Sequence, residues 1–309
     1  MTATIQVFDR KALRAHRKRA APGFGAHDFL FREVGERLSD RLADVRRDFP
    51  VALDLGCHDG TLSRLLGGRG GVETLIQCDC AAAMAAAAHH RLRPALVADE
   101  EALPFAPASF DLVISCLSLH WVNDLPGALV QIRHALKPDG LFLAALLGGE
   151  TLSELRAALM ESELEVEGGA GPRVSPFAEL RDAGALLQRA GFALPMADVD
   201  SLTVTYPNAL ALMRDLRGMG ESNAVLARRR SASRRATLLR AAALYEQRAA
   251  NDDGRIPASF QVIYLTGWAP HESQPKALRP GSAAARLADA LDVEEVTAGE
   301  KAGPGGKES

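Results

Sequence analysis

Cysteine is scarce. The four in this 309-residue chain, Cys57, Cys78, Cys80 and Cys116, lie between residues 57 and 116 in apolar surroundings. None forms a C-x-x-C pair, so the spacing indicates neither a zinc site nor a disulfide framework, and it fits a reducing compartment. Long apolar runs are also missing. No stretch approaches the roughly 18 residues that a membrane-spanning helix needs. The N-terminus, MTATIQVFDRKALRAHRKRA, lacks the apolar core of a secretory signal. It is Arg-rich, as a mitochondrial presequence is, yet it passes into the globular part almost at once and leaves little to cleave. A bacterial cytoplasmic protein is the expectation, or the matrix side of the mitochondrion for a eukaryotic one. No charge of one sign predominates. The formal net charge is -3, which points to neither nucleic acid nor an acidic substrate. None of the eight histidines begins an H-x-D or H-x-E pattern, the usual mark of iron held by two histidines and a carboxylate. No metal site is expected.

What is present is an ordinary globular composition, 47% hydrophobic and 24% charged, in a chain long enough for one large domain or two modest ones. The first fifty residues read as helical. FLFREVGERLSDRLADV places Leu30, Val34, Leu38 and Leu42 on one helical face, and Pro50 breaks the pattern. Strand and helix then alternate. VALDL (51–55), ETLIQCD ending at Asp79, FDLVISCLSL (110–119) and GLFLAALLG (140–148) read as buried strands. TLSRLLGG, MAAAAHHRL and PGALVQIRHAL read as helices between them. This alternation predicts an α/β fold with a doubly wound, mostly parallel sheet. From Glu150 the texture changes. Residues 151–166 read as a charged amphipathic helix and FAELRDAGALLQRAGF as a helix capped by Gly191. SLTVTY (201–206) and SFQVIYLTGW (259–268) read as strands, and ALALMRDLRGMG as a helix. The expected organisation is a helical segment over 1–50, a nucleotide-binding core over 51–149, a completing part with a lid over 150–283, and a disordered tail over 284–309.

The chemistry concentrates in DLGCHDG, residues 54–60. A strand that ends in a glycine turn and opens a helix brings backbone N–H groups close to a ligand. Gly56 and Gly60 stand where side chains would most obstruct it, with Asp54, Cys57 and His58 around them. Asp79 falls 19 residues after Gly60, at the expected end of the second strand, where its carboxylate can accept from both ribose hydroxyls. Asp99 and Glu100, in VADEEALPF, follow a third apolar segment, and Asp99 can accept from an adenine amino group. Each element alone is more often a plain turn or a solvated acid. In this order, and at strand ends, the set is specific.

DLGCHDG, Asp79, ADEEALPF, FDLVISCLSLHWV and ALKPDGLFLAAL together resemble the class I S-adenosylmethionine (SAM) dependent methyltransferases. The resemblance implies a seven-stranded Rossmann-like sheet with SAM lying across the strand ends that carry the glycine loop and Asp79. One departure stands out: His58 takes the place where the family has a third glycine. Two relatives within that superfamily fit SLHWVNDLPGALVQIRHALKPDG, the malonyl-acyl-carrier carboxyl O-methyltransferases of biotin synthesis and the methyltransferase-like assembly factors of respiratory complex I. The stretches VFDR, FLFREVGERLSDRL, GGETLSELRAAL, SPFAELRDAGALLQRAGF, GMGESNA and YLTGWAPHESQ look like the assembly factors, from about residue 7 to 283. To that family arginine hydroxylation of an iron–sulfur subunit is attributed, which implies such a subunit as partner. A shared family does not by itself transfer activity.

Other residues carry two readings each. Trp121 packs on a substrate and His120 acts as a base, or the first is core and the second caps a strand. Glu221 and Asn223 hold a bound arginine, or they belong to a helix C-cap followed by an N-cap. Two basic clusters, Arg10, Lys11, Arg14, Arg17, Lys18 and Arg19, then Arg228, Arg229, Arg230, Arg234 and Arg235, read as solvated helix faces, or as contacts to an acidic partner or an anionic membrane surface. Nucleic acid ranks last, because no aromatic residues interleave with these charges. The leading expectation is a SAM-binding enzyme acting on an arginine of a complex I subunit. The alternatives are a carboxyl methyltransferase and a non-catalytic assembly chaperone, which His58 favours.

Overall fold

The computed structural model describes residues 6–90, 93–177 and 180–275, with the side chains of 180–183 left aside. One unit runs from Met1 to His271, and a second comprises residues 272–309. Only 272–275 of the second are described, so the expected tail over 284–309 lies outside the described residues.

Four short apolar segments form the parallel half of the sheet: β1 Val51–Leu55, β2 Thr74–Asp79, β3 Ala95–Val97 and β4 Phe110–Cys116. Helices α3 Thr61–Leu66 and α4 Ala82–Ala88 connect the first three. Helix α5, Leu125–Ala135, leads from β4 to β5, Leu136–Leu147, which also lies parallel. The remaining strands, β6 Ala193–Tyr206 and β7 Ile256–Trp268, pair antiparallel, and β7 inserts between β5 and β6. The seven-stranded order is β3-β2-β1-β4-β5-β7-β6. Chain order reverses between β1 and β4, and a doubly wound sheet opens its ligand crevice at the carboxyl ends of the strands flanking such a reversal. That places the crevice above Gly56 and Ser118.

Two apolar layers cover the sheet. On one face lie α2 Phe29–Ala43, α6 Ser153–Glu167, α8 Ala209–Gly218 and α9 Arg235–Ala249, whose Leu38, Leu155, Leu212 and Leu244 are buried with Ile114 and Val262. On the other, Leu129 and Ile132 of α5 and Leu187 of α7 (Leu180–Arg189) bury with Val113 and Phe142. The expected stripe of Leu30, Val34, Leu38 and Leu42 is buried throughout. Burial of each such side chain stabilises by about 1.5–3 kcal/mol. Helix α1, Arg10–Ala20, begins at Asp9, whose carboxylate accepts from Ala12 N at 3.0 Å, a normal N-cap. A 3-10 stretch, Ala21–Ala26, joins α1 to α2.

Three elements depart from expectation. The helix of MAAAAHHRL stops at Ala88, with His89 extended (φ −63°, ψ 125°) shortly before Pro94. Strand β6 starts eight residues before the expected SLTVTY, and Pro195 is accommodated at a register shift on this edge strand. Helix α9 begins at Arg235, while Arg228–Arg230 lie in irregular chain rather than on a helix face.

Candidate functional site

The turn after β1 is built by close backbone packing. Gly56 N and Cys57 N both donate to Cys78 O, at 2.8 and 2.9 Å. Gly56 has φ +75°, and a Cβ there would stand 2.1 Å from Ser118 Oγ, so the two strand-end loops touch across the reversal point. Cys57 is buried beside them. Gly60 also has positive φ, +81°, at the start of α3. That helix is short, and Asp59 Oδ1 already accepts from Thr61 N at 3.1 Å. Asp54, on β1, is fully buried with neither carboxylate oxygen partnered. Burial, and then the charge of Asp79, push its carboxyl up to about 8.

His58 keeps the left-handed backbone that a glycine would adopt there, φ +49°. Its ring turns inward, stacks on Phe24 at 5.6 Å between centroids and meets Phe31 edge-on at 4.5 Å. Nε2 lies 3.3 Å from Leu117 O, and Nδ1 is buried without a partner. Burial, with the Arg17 charge next, lowers its basicity.

The three acids of the cradle are held by one helix. Asp79 ends β2 and accepts from Ala81 N at 2.8 Å, His58 N at 3.3 Å and Arg17 Nη1 at 3.0 Å. Glu100 accepts from Arg17 Nη1 at 3.3 Å and Ser118 Oγ at 2.7 Å, and pairs closely with Arg10. Asp99 accepts from Arg10 at 2.6 Å and pairs closely with Arg14. Arg17, Asp79 and Glu100 have no solvent exposure. Burial alone would raise the Glu100 carboxyl, but Arg10 and Arg17 hold it down at about 2. The sequence reading missed these arginines as site residues. Positions 10, 14 and 17 fall on one face of a helix, and their acidic partner is the chain's own cradle rather than another molecule. Of the second cluster, Arg228 pairs with Asp9 at 3.0 Å and Arg229 with Glu167.

A second group meets beside the cradle. Glu221 Oε2 accepts from His120 Nε2 at 3.0 Å and from Trp121 Nε1 at 2.9 Å, while its buried Oε1 has no partner. Burial opposes ionisation, but His120 and Arg17 keep the Glu221 carboxyl below its ordinary range. His120 and Trp121 come from the loop after β4, Glu221 from the turn after α8. Three of the expected residues are therefore in contact. Asn223 is spent on scaffolding. Its Nδ2 donates to Pro172 O at 2.7 Å and its Oδ1 accepts from Val225 N at 2.9 Å. No second helix follows it directly, since α9 begins only at Arg235. Glu221 faces a cavity of about 330 Å3 whose walls include Leu30, Leu147, Leu155, Phe177, Met213 and Met219. A 330 Å3 chamber of this lining matches a small-ligand or side-chain site.

A methyltransferase-domain family profile matches residues 53–144, the glycine turn through β5. The mitochondrial arginine-hydroxylase NDUFAF5 of Danio rerio is 46% identical over 289 residues, covering 92% of this chain and 89% of that protein. The chain belongs to this family of methyltransferase-domain enzymes. The malonyl-[acyl-carrier protein] O-methyltransferase of Methylovorus sp. (strain MP688) is more distant, 38% identical over 87% of this chain and 92% of its own length. Among solved structures, the YcgJ protein of Bacillus subtilis superimposes with a TM-score of 0.54 at 16% identity, covering 77% of this chain and 98% of its own. A Haemonchus contortus phosphoethanolamine N-methyltransferase 2 in complex with S-adenosyl-L-methionine gives 0.51 at 16% identity, over 81% and 57%. These structures share the fold. No helix among the described residues is long and apolar enough to cross a membrane.

The cradle fits a nucleoside in part. The unpartnered Asp54 oxygens and the Asp79 carboxylate at the end of β2 are the right acceptors in the right crevice. Arg17 already occupies Asp79 Oδ2, and the His58 ring packs inward beside the glycine turn.

Proposed function

We propose that the chain is a SAM-binding enzyme that modifies an arginine side chain, as the name and identity of its hydroxylase relatives suggest, and that the arginine belongs to an iron–sulfur subunit of complex I, as the sequence resemblance to the complex I assembly factors implies. The observation that carries this reading is the Glu221 carboxylate, ionised and buried at the end of an apolar chamber with Oε1 unpartnered. A buried free carboxylate oxygen calls for a cationic donor. The leucine and methionine walls suit the methylenes of a long side chain, and one guanidinium N–H can bond the free Oε1. His120 and Trp121 fix the other oxygen and so aim Glu221. Asp79 and Asp54 are the acceptors offered to the cofactor, with Gly56, Cys57 and Gly60 forming the turn beneath it. When bound, SAM would supply an activated methyl sulfonium; adding an oxygen to arginine would instead draw on dioxygen and a two-electron reductant, one oxygen atom entering the side chain and the other leaving as water. The protein acts in the bacterial cytoplasm, or in the mitochondrial matrix in a eukaryote, with peripheral contact to the membrane through its exposed arginines.

The test is mass spectrometry of complex I subunits from cells with the gene, without it, and with Glu221→Gln. One oxygen on an arginine should be present in the first case and lost in the other two. An arginine unchanged by deletion overturns the reading. The carboxyl methyltransferase alternative would set a malonyl carboxylate in a chamber lined by both Glu221 and Arg173. A non-catalytic chaperone draws support from one feature, the filling of the cradle by Arg17 and His58. Calorimetric titration with SAM separates it from the enzymes, since a chaperone gives no binding.

A further inference from the structure

Helix α1 places three arginines on the three acids that surround the cradle. Arg17 spans Asp79, Glu100 and Ser118, Arg10 joins Glu100 to Asp99, and Arg14 closes on Asp99 at the rim. Asp79 Oδ1 is taken by Ala81 N and Oδ2 by His58 N and Arg17, so the carboxylate keeps little acceptor capacity. Phe24, just beyond α1, lies flat against the His58 ring. Arg17 Nε remains buried and unpartnered, so the guanidinium is not fully satisfied in this position. A buried cation with one donor unmet marks an arrangement that is held firmly but not optimally.

We propose that α1 is an internal ligand of the cradle: Arg17, steadied by Arg10 and Arg14, occupies the place of the cofactor's ribose hydroxyls, and SAM binds by displacing it and loosening α1. The proposal rests on the reading that this cradle takes SAM. A guanidinium on a carboxylate is a stronger partner than a neutral hydroxyl pair, so the closed form predominates without ligand. Affinity is then reduced by the fraction of molecules that are open. Linkage makes the effect reciprocal: what α1 subtracts from cofactor binding, the cofactor subtracts from the docking of α1.

The experiment uses the full chain and S-adenosylhomocysteine, the unreactive product form of the cofactor. Two readouts are followed, calorimetric affinity and the rate of tryptic cleavage between Arg10 and Arg19. Ligand should accelerate cleavage there, and Arg17→Met should bind more tightly than wild type, each by ~5- to 150-fold, the usual range of such couplings. Binding that protects α1 from trypsin, or an Arg17→Met affinity equal to or weaker than wild type, overturns the proposal and leaves the SAM reading intact. No binding by either protein removes both. Should Arg17→Met fail to fold, the tryptic readout on the wild-type chain decides alone.

Discussion

His58 holds its backbone at φ +49° while burying an imidazole between Phe24 and Phe31. The strain is worth ~1 kcal/mol or more, and the packing outweighs it. His58→Gly should therefore lower stability by ~1–2 kcal/mol in urea denaturation. The same change removes one of the two groups that crowd the cradle, leaving Arg17 in place, so S-adenosylhomocysteine should bind more tightly. Equal affinity would show that the ring obstructs nothing. Asp54 gives a pH signature. Its native carboxyl sits at about 8, against ~3.9 when unfolded. Between those values the native state keeps a proton that the unfolded state has released, so this group's contribution to stability falls as pH rises and is flat above about 8. Asp54→Asn has no such proton. Its stability relative to wild type should climb by about 4 kcal/mol between pH 5 and 8.5, and a difference independent of pH would refute the assignment. The position of the glycine turn and of Asp79 at strand ends could be read from residue type and spacing, whereas Glu221 came only as one of two readings of GMGESN. The part of Arg17 was not legible, because a lone basic run gives no sign of which acids it will meet.

At the scale of elements, periodicity worked where one face is apolar and the other charged. Helix α2 is the clearest case, and its two faces should respond differently. Leu38→Ala removes a side chain with no exposure and should cost ~2–5 kcal/mol with an unchanged denaturant slope. Arg41→Ala on the outer face loses an exposed pair with Asp198 and a contact over Tyr264, and should cost ~1 kcal/mol or less. Equal losses would mean that α2 packs otherwise. Strand β6 was half hidden, since Asp198 and Asp200 break its alternation. Arg41 and Arg37 of α2 accommodate both from across the sheet, a tertiary effect that no local pattern reveals. Helix α9 was missed because arginines precede it and no cap marks its start.

For the whole molecule, the parallel half of the sheet reads as a unit, but β5 pairs with β7 over seven residues, from Leu141 opposite Trp268 to Leu147 opposite Val262. A fragment of residues 1–149 would leave that edge of β5 bare and uncover Leu143, Ala145 and Leu147, which the later helices bury. It should aggregate or show no cooperative thermal transition. A monomeric fragment with a sharp melt would establish an independent nucleotide-binding domain instead. The strand order, by contrast, could not be read from the sequence, because a β7 that turns back between β5 and β6 is specified by contacts distant along the chain.

Those distant contacts also set a timetable. Phe8 bridges Val225, Asp9 N donates to Ala224 O, and the Asp9–Arg228 pair closes over 219 residues of chain. On a ribosome adding about 5–20 residues each second, the anchor of α1 waits ~10–45 s for its partner to be made. During that interval the arginines of α1 can already meet Asp79 and Glu100, and Asn123 can take the N–H groups of Val7 and Phe8, but the clasp through residues 224–228 is still missing.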